Sequence, residues 1–379
     1  MIRCKAAVLR TSAGPKPYAD SKPISIEDVT LAPPMGSEVV VKVTSAGLCQ
    51  SDLSNISGKR APLLPLAFGH EGAGEIVEVG SAVTDINVGD HIVFQFNASC
   101  GRCEFCLEGR PQLCSTAIAA TRKGELMAGG RRFSDADGNA LAHHTGVSCF
   151  AEYTVVDRGS VVVIDKSFPL KNAAIFGCAV MTGVGAVFNT AHLHPGDDVA
   201  IIGLGGVGLS ALLGAKLAGA GKIIAVDLDP KKFARAKALG ATHTVAAGDS
   251  DCVEQIRDLT GGGVHIAFEF AGAIPAMTTA YGITRRGGTV VAAGLPAKGA
   301  QFSFDPGDLV IDEKAILGST MGSCIAVRDI PRFIQFNQDG RLPVDSLIDR
   351  FIGFDELNAG FDLLDSGAAV RQILLPHLK

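Results

Sequence analysis

A short apolar run that leads without interruption into a glycine-spaced turn constrains this chain most. Val199-Ala200-Ile201-Ile202 reads as a strand, and Gly203-Leu204-Gly205-Gly206-Val207-Gly208 follows it directly. Alone, G-x-G-x-x-G means little. Between a strand and a helix, with an acidic residue roughly 20 positions further on, it fits a dinucleotide. Asp227, at the end of the next apolar run, is that residue. Gly203 permits the tight turn. Gly205 lets the main chain approach a pyrophosphate, which a helix N-terminus attracts. Gly208 lets helix and strand pack closely. Asp227 would accept hydrogen bonds from the adenosine ribose and repel a 2′-phosphate, so NAD is expected over NADP. The plain alternative is a glycine-rich turn that binds nothing.

The surroundings extend this pattern. Apolar runs at 199–203, 223–227, 243–246, 265–270, 289–294 and 315–318 alternate with helical segments at 209–218 and 230–239. The second helix has Asp229 as N-cap, Pro230 at its first position and Gly240 as its stop. Alternation of this kind predicts an α/β fold, a doubly wound parallel sheet with helices on both faces. Residues 1–175 read as β-rich, with strands expected at 38–43, 74–80 and 91–94. Residues 115–148 show few periodic runs and are expected to form a long surface loop. The last sixty residues return to mixed α/β character. At 379 residues the chain has length for two domains.

A net charge of −5 and the absence of Trp argue against a nucleic-acid partner. No apolar run reaches the roughly 18 residues of a membrane span, and the start Met1-Ile2-Arg3-Cys4-Lys5 lacks the apolar core of a signal peptide. The expected compartment is the cytoplasm, where cysteine clusters read as metal ligands before disulfides. Cys100, Cys103, Cys106 and Cys114 form such a cluster. Four thiolates close a tetrahedral zinc site with no vacancy, so this metal would be structural. An iron–sulfur cluster, two disulfides or a zinc-ribbon module are the competing readings.

Cys49, Gly69-His70-Glu71 and Cys178 are scattered and individually uninformative, since a lone Cys or His is usually a core residue. Together with 47–52, the four-cysteine segment, 176–178 and 202–208, they stand in an order and at spacings that resemble the zinc-dependent medium-chain alcohol dehydrogenases, in their longer, liver-type branch. The resemblance covers essentially the whole chain. It implies a β-rich, GroES-like catalytic domain of residues 1–178 and 319–379, with the Rossmann domain inserted as 179–318 and the active site between them. Cys49, His70 and Cys178 would hold a catalytic zinc with one open position, at which a bound water or alcohol is acidified. Two zinc ions per chain follow. Asp52 would orient His70, Glu71 would lie beside the metal, and Ser51 would take the substrate proton.

The resemblance also assigns cofactor contacts. Besides the glycine turn with Leu204, Gly206 and Val207, these are Asp227, Lys232, Thr182, Gln50 and Arg371. Pocket positions fall on Phe96, Leu113, His144, Thr145, Leu295 and Thr320, with Arg60 near the mouth. Three departures stand out. Gln50 replaces a basic residue that contacts the pyrophosphate, and Arg371 would partly compensate. Ser54 replaces a histidine of the proton exit. Ile118 replaces an arginine that holds a glutathione carboxylate, which argues against a glutathione adduct as substrate. The expected activity is reversible hydride transfer between an alcohol and NAD. Two alternatives are a zinc-free quinone or enone reductase of the same superfamily and a non-catalytic zinc-stabilised binding protein. The long branch also implies a homodimer, joined through Rossmann-sheet edges at 289–294 and 315–318.

Overall fold

The structure, a computed structural model, describes residues 1–378. The chain divides into two compact units. One comprises Met1–Cys178, Ile325–Ile334 and Asp345–Lys379, the other Ala179–Cys324 and Gln335–Val344.

In the first unit, strands Ile2–Leu9, Ile24–Leu31, Phe133–Ser134, Ala140–His143 and Leu66–Ala67 close a small barrel. A second sheet runs in the order Val161–Ile164, His91–Phe94, Gly72–Val79, Glu38–Gly47, Gln372–Leu374, Arg350–Ile352, and Tyr153–Asp157 also pairs with Glu38–Gly47. The apolar positions of Glu38–Gly47 face a core of Leu48, Leu53, Phe68, Phe94, Phe150 and Phe361. Helix Gln50–Ile56 starts where that strand ends, so Cys49 lies on a junction fixed by both.

The expectation of a surface loop at 115–148 is wrong. Ser115–Thr121 is helical, and Phe133–Ser134 and Ala140–His143 complete the barrel. Phe133, Leu141 and Ala142 are fully buried. Strands of two and four residues are too short to show periodicity, and a buried ion pair holds them further in. Arg132 donates from Nε and Nη2 to both carboxylate oxygens of Glu38, at 2.8 and 2.6 Å.

In the second unit six parallel strands run in the order His243–Ala246, Ile223–Asp227, Val199–Ile202, Val264–Glu269, Thr284–Ala292, Ala315–Gly318. This 3-2-1-4-5-6 order is the doubly wound dinucleotide-binding sheet. Its central strands Ile223–Asp227, Val199–Ile202 and Val264–Glu269 are buried on both faces, which explains their apolar runs. Residues 319–324, placed from the sequence in the catalytic domain, belong to this unit. Ser319 N bonds to Ala292 O at 2.9 Å, carrying the register of the last strand onward. Thr284–Ala292 is paired on both sides, so of the two segments expected at a sheet edge only Ala315–Gly318 is one. Among the described residues no single helix is long and apolar enough to cross a membrane.

Candidate active site

Three distant segments of the first unit bring Cys49, His70 and Cys178 together. Cys49 Sγ lies 3.8 Å from Cys178 Sγ, and Cys178 Sγ lies 3.6 Å from His70 Nε2. Zinc–sulfur and zinc–nitrogen bonds of ordinary length in a tetrahedron place such atoms about 3.8 and about 3.6 Å apart. The donors therefore fit a zinc ion. All three side chains are nearly fully buried, with Glu71 and Asp52 beside them at 0% exposure. The thiol of Cys178, shared with Cys49, holds Cys49 well below the usual thiol range.

Asp52 builds this geometry from one carboxylate. It is the third residue of helix Gln50–Ile56, and its Oδ2 accepts from Cys49 N at 3.0 Å, capping the helix start. Its Oδ1 accepts from His70 Nδ1 at 2.7 Å. The ring nitrogen is thereby kept protonated on the Asp52 side, and the Nε2 lone pair is turned toward the two sulfurs. Phe96 packs edge-on against His70, with ring centroids 5.3 Å apart. Ser51 is half-buried on the same first turn, whereas Gln50 is exposed.

Glu71 joins Cys49, His70 and Cys178 within mutual ligand distance. Neither of its oxygens has a hydrogen-bond partner, and burial pushes its carboxyl up to about 8 against the opposing pull of Arg371. Arg371 Nη2 stands 3.1 Å from Glu71 Oε2, while Nη1 donates to Leu48 O at 2.9 Å. At 3% exposure the guanidinium is buried beside Glu71, with Nε lacking a hydrogen-bond partner, so this structure does not present Arg371 as the free cation expected to compensate for Gln50. Gly47 makes the arrangement possible, because a Cβ there would lie 2.6 Å from Glu71 Oε1.

His144 lies beside Asp52. Its ring stacks on Phe68, with centroids 4.8 Å apart and planes 10° from parallel, and it is 7% exposed. Burial keeps it well below the usual histidine range and so neutral. Thr145 is half-buried in the left-handed region at φ +53°, with Oγ1 donating to His144 O. Leu113 and Arg60 are half-buried. In the second unit Leu295 is 66% exposed and Thr320 is exposed. Nothing in the sequence signalled Asn55, whose amide meets His144 Nε2 at 2.9 Å.

The four-cysteine segment is a separate centre. Its ligand atoms all lie within 4.8 Å of one another, and Cys103 Sγ is 3.9 Å from Cys114 Sγ. Backbone N–H groups of Cys100 and Cys103 donate to the sulfurs of Cys114 and Cys100, each at 3.3 Å. The donor set fits one closed zinc site. Three of these cysteines are only half-buried, and all ten in the chain are free thiols.

In the second unit the glycine turn has the shape a dinucleotide requires. Gly203 sits at φ +93°, and a Cβ at Gly208 would fall 1.9 Å from Gly203 O. A Cβ at Gly205 would meet nothing within 4 Å, so the turn is open on the side where a pyrophosphate would approach. Asp227 Oδ2 accepts from Leu204 N at 2.7 Å, Oδ1 accepts from Asp229 N at 2.9 Å, and Lys232 Nζ lies 3.1 Å from both oxygens. Thr182 and Val207 are half-buried in the same unit.

Known proteins agree with this geometry. Residues 36–166 match the alcohol dehydrogenase GroES-like domain family, and residues 206–339 match the zinc-binding dehydrogenase family. An S-(hydroxymethyl)glutathione dehydrogenase of Synechocystis sp. is 38% identical, over 93% of this chain and 96% of the relative. The crystal structure of benzyl alcohol dehydrogenase from Acinetobacter calcoaceticus superposes with a TM-score of 0.89 at 32% identity, covering 99% of each chain. A Sinorhizobium meliloti chain solved with NADP bound gives a TM-score of 0.80 at 28% identity, over 99% of this chain and 100% of that one. Neither the zinc-free reductase nor the non-catalytic reading is favoured by these likenesses. The chain belongs to the zinc-dependent medium-chain alcohol dehydrogenases.

Proposed function

We propose that this chain interconverts alcohols with aldehydes or ketones, using NAD and two zinc ions per chain. The carrying observation is the buried set Cys49, His70 and Cys178 at tetrahedral edge lengths, with Asp52 holding His70 from behind. When bound there, zinc would supply a Lewis acid for the substrate oxygen and NAD would supply the hydride acceptor.

The chain's own residues do the rest. Asp52 keeps the Nδ1 proton of His70 in place and its Nε2 free for the metal. Ser51 Oγ, two positions after Cys49, takes the proton of the alcohol and hands it outward. Ser54 does not titrate near neutrality, so the proton leaves through water. Phe96 supplies an apolar wall beside His70. Asp227, already oriented by two backbone N–H groups and Lys232, receives the adenosine ribose hydroxyls and disfavours a 2′-phosphate. The NADP-bound neighbour makes this preference a point to test directly. Cys100, Cys103, Cys106 and Cys114 hold the structural ion.

The proposal includes a cytoplasmic homodimer. Free thiols at both centres support a reducing compartment. The open edge Ala315–Gly318, with exposed Leu317 and nearby Val310 and Ile311, supports sheet-edge pairing. Ile118, half-buried in helix Ser115–Thr121, offers no charge for a glutathione carboxylate.

The test combines metal analysis with a substrate panel followed by NADH formation. The panel spans primary aliphatic, benzylic, terpenoid and polyol alcohols and S-(hydroxymethyl)glutathione. Two zinc ions per chain and turnover of at least one alcohol class with NAD are expected. Folded protein without zinc, or equal kcat/KM with NAD and NADP, would refute the assignment. A best rate with the glutathione adduct would overturn the reading of Ile118.

A further inference from the structure

The side-chain chain that begins at the zinc ligand His70 does not stop at Asp52. His144 Nδ1 points at the same oxygen, Asp52 Oδ1, from 3.6 Å. That is longer than a hydrogen bond, but it lies in a fully buried setting where such an electrostatic contact is poorly screened. His144 Nδ1 has no other partner. On the far side of the ring, Asn55 Nδ2 meets Nε2 at 2.9 Å. Asn55 is on helix Gln50–Ile56, the helix that carries Asp52.

These contacts select a tautomer. The amide N–H of Asn55 requires a lone pair on His144 Nε2, so the ring proton belongs on Nδ1. The other end agrees, because a lone pair on Nδ1 would face the acceptor-only oxygen of Asp52. Phe68, stacked under the ring, stops it from turning away. Asp52 therefore has N–H groups from Cys49, His70 and His144 directed at its two oxygens.

We propose that His144 is a positioning residue: aimed by Asn55, its Nδ1–H steadies the carboxylate of Asp52 and, through it, the ring of His70. The proposal rests on the reading of Cys49, His70 and Cys178 as zinc ligands. It deepens that reading by adding His144 and Asn55 to the machinery that keeps His70 ready for the metal.

The ranking of three substitutions separates this role from packing. His144→Phe keeps a flat ring on Phe68 but has no N–H. His144→Asn loses the ring but places an amide N–H where Nδ1 was. His144→Gln moves that N–H toward the Nε2 position. Zinc release from the Cys49 site to a colorimetric chelator should quicken about three- to tenfold in the Phe and Gln variants. This is below the 10–100-fold cost of losing a group that touches a ligand directly. The Asn variant should stay within about twofold of the parent. Packing alone predicts the reverse order, with Phe nearest the parent, and that order would overturn the proposal, as would equal rates in all three.

A second measurement needs no metal. Histidine side-chain 15N NMR of the full chain, with His144→Phe used for assignment, should show His144 protonated on Nδ1. An Nε2–H tautomer would overturn the proposal. Failure of the underlying ligand reading looks different: the parent chain would then hold no zinc outside the four-cysteine centre, and the tautomer measurement would still decide the role of His144.

Discussion

The two cysteine centres of this molecule use similar donors in opposite ways. The four-cysteine centre is supplied by one segment, Cys100 to Cys114, and leans on its own backbone N–H groups. Among the described residues its buried apolar support is Ala98, Cys114 and Ala117, with partly buried neighbours. The Cys49 centre draws on residues far apart in the chain, with Cys49 set by a helix start and His70 by a buried carboxylate and an edge-on aromatic ring. On the proposed assignment, the first centre would depend on its metal for its structure. At the second, the surrounding core already holds the ligand positions. On the same assignment, one ion would stabilise a lobe, while the other would keep an open face for chemistry.

The sharpest way to break this contrast is to remove one cysteine from each centre. Cys49→Ala should lower kcat/KM by about 10³-fold or more and remove one zinc per chain, with little change in Tm. Cys103→Ala should instead lower Tm by roughly 10 °C or more, because metal binding at such a site is folding free energy. Metal analysis and calorimetry on both variants check the pair. Equal losses of Tm would end the distinction.

Next in size is Asp52→Asn. A group holding a ligand histidine typically affects metal affinity or activity 10–100-fold. The loss should fall on the Cys49 centre alone, with zinc retained at the four cysteines, as chelator titration would show. The glycine turn offers a third comparison, since it too is built by one continuous region. Asp227→Gly removes the carboxylate anchored to Leu204 N and should narrow the preference for NAD over NADP by roughly tenfold. An unchanged kcat/KM ratio would show that Asp227 does not face the ribose.

The smallest effect concerns the base of the four-cysteine lobe. Asp157 Oδ2 accepts from Met127 N at 2.8 Å, and Met127 packs on the lobe. Burial pushes Asp157 up from 3.8 to about 6. The protonated acid is thus the form the fold favours. Its contribution is present below about pH 4 and is lost as the pH rises through about 6. Asp157→Asn should therefore raise Tm by a few degrees above pH 6, on the order of 1 kcal/mol, and change little below pH 4. A shift of the same size at both pH values would point to packing instead of charge.

Much of this could be read from one dimension. The parallel sheet was legible because short apolar runs alternate with helical segments, and 223–227, 243–246 and 315–318 appear in the structure at those residues. Asp229 caps its helix by accepting from Lys231 N, and Gly240 ends it, as local chemistry requires. The four-cysteine centre was legible for the same reason, since its spacing carries its geometry. The barrel segment within 115–148 was not, because strands of two to four residues leave no periodic trace and their hold on the core is an Arg132–Glu38 pair far apart in sequence.

The sequence by itself determined which groups are available: the glycine turn with its acidic partner, two sets of zinc donors, and a serine beside the first of them. Those follow from local spacing, or from an order of motifs along the whole chain. Tertiary structure alone decided how the groups are spent. It turned Arg371 onto Glu71, set His144 beside Asp52, and made Gly47 the gap that admits the Glu71 side chain. Each of these depends on which buried charge finds which partner. That choice is made by packing between distant segments, where an unpaired polar group is costly and has few places to go.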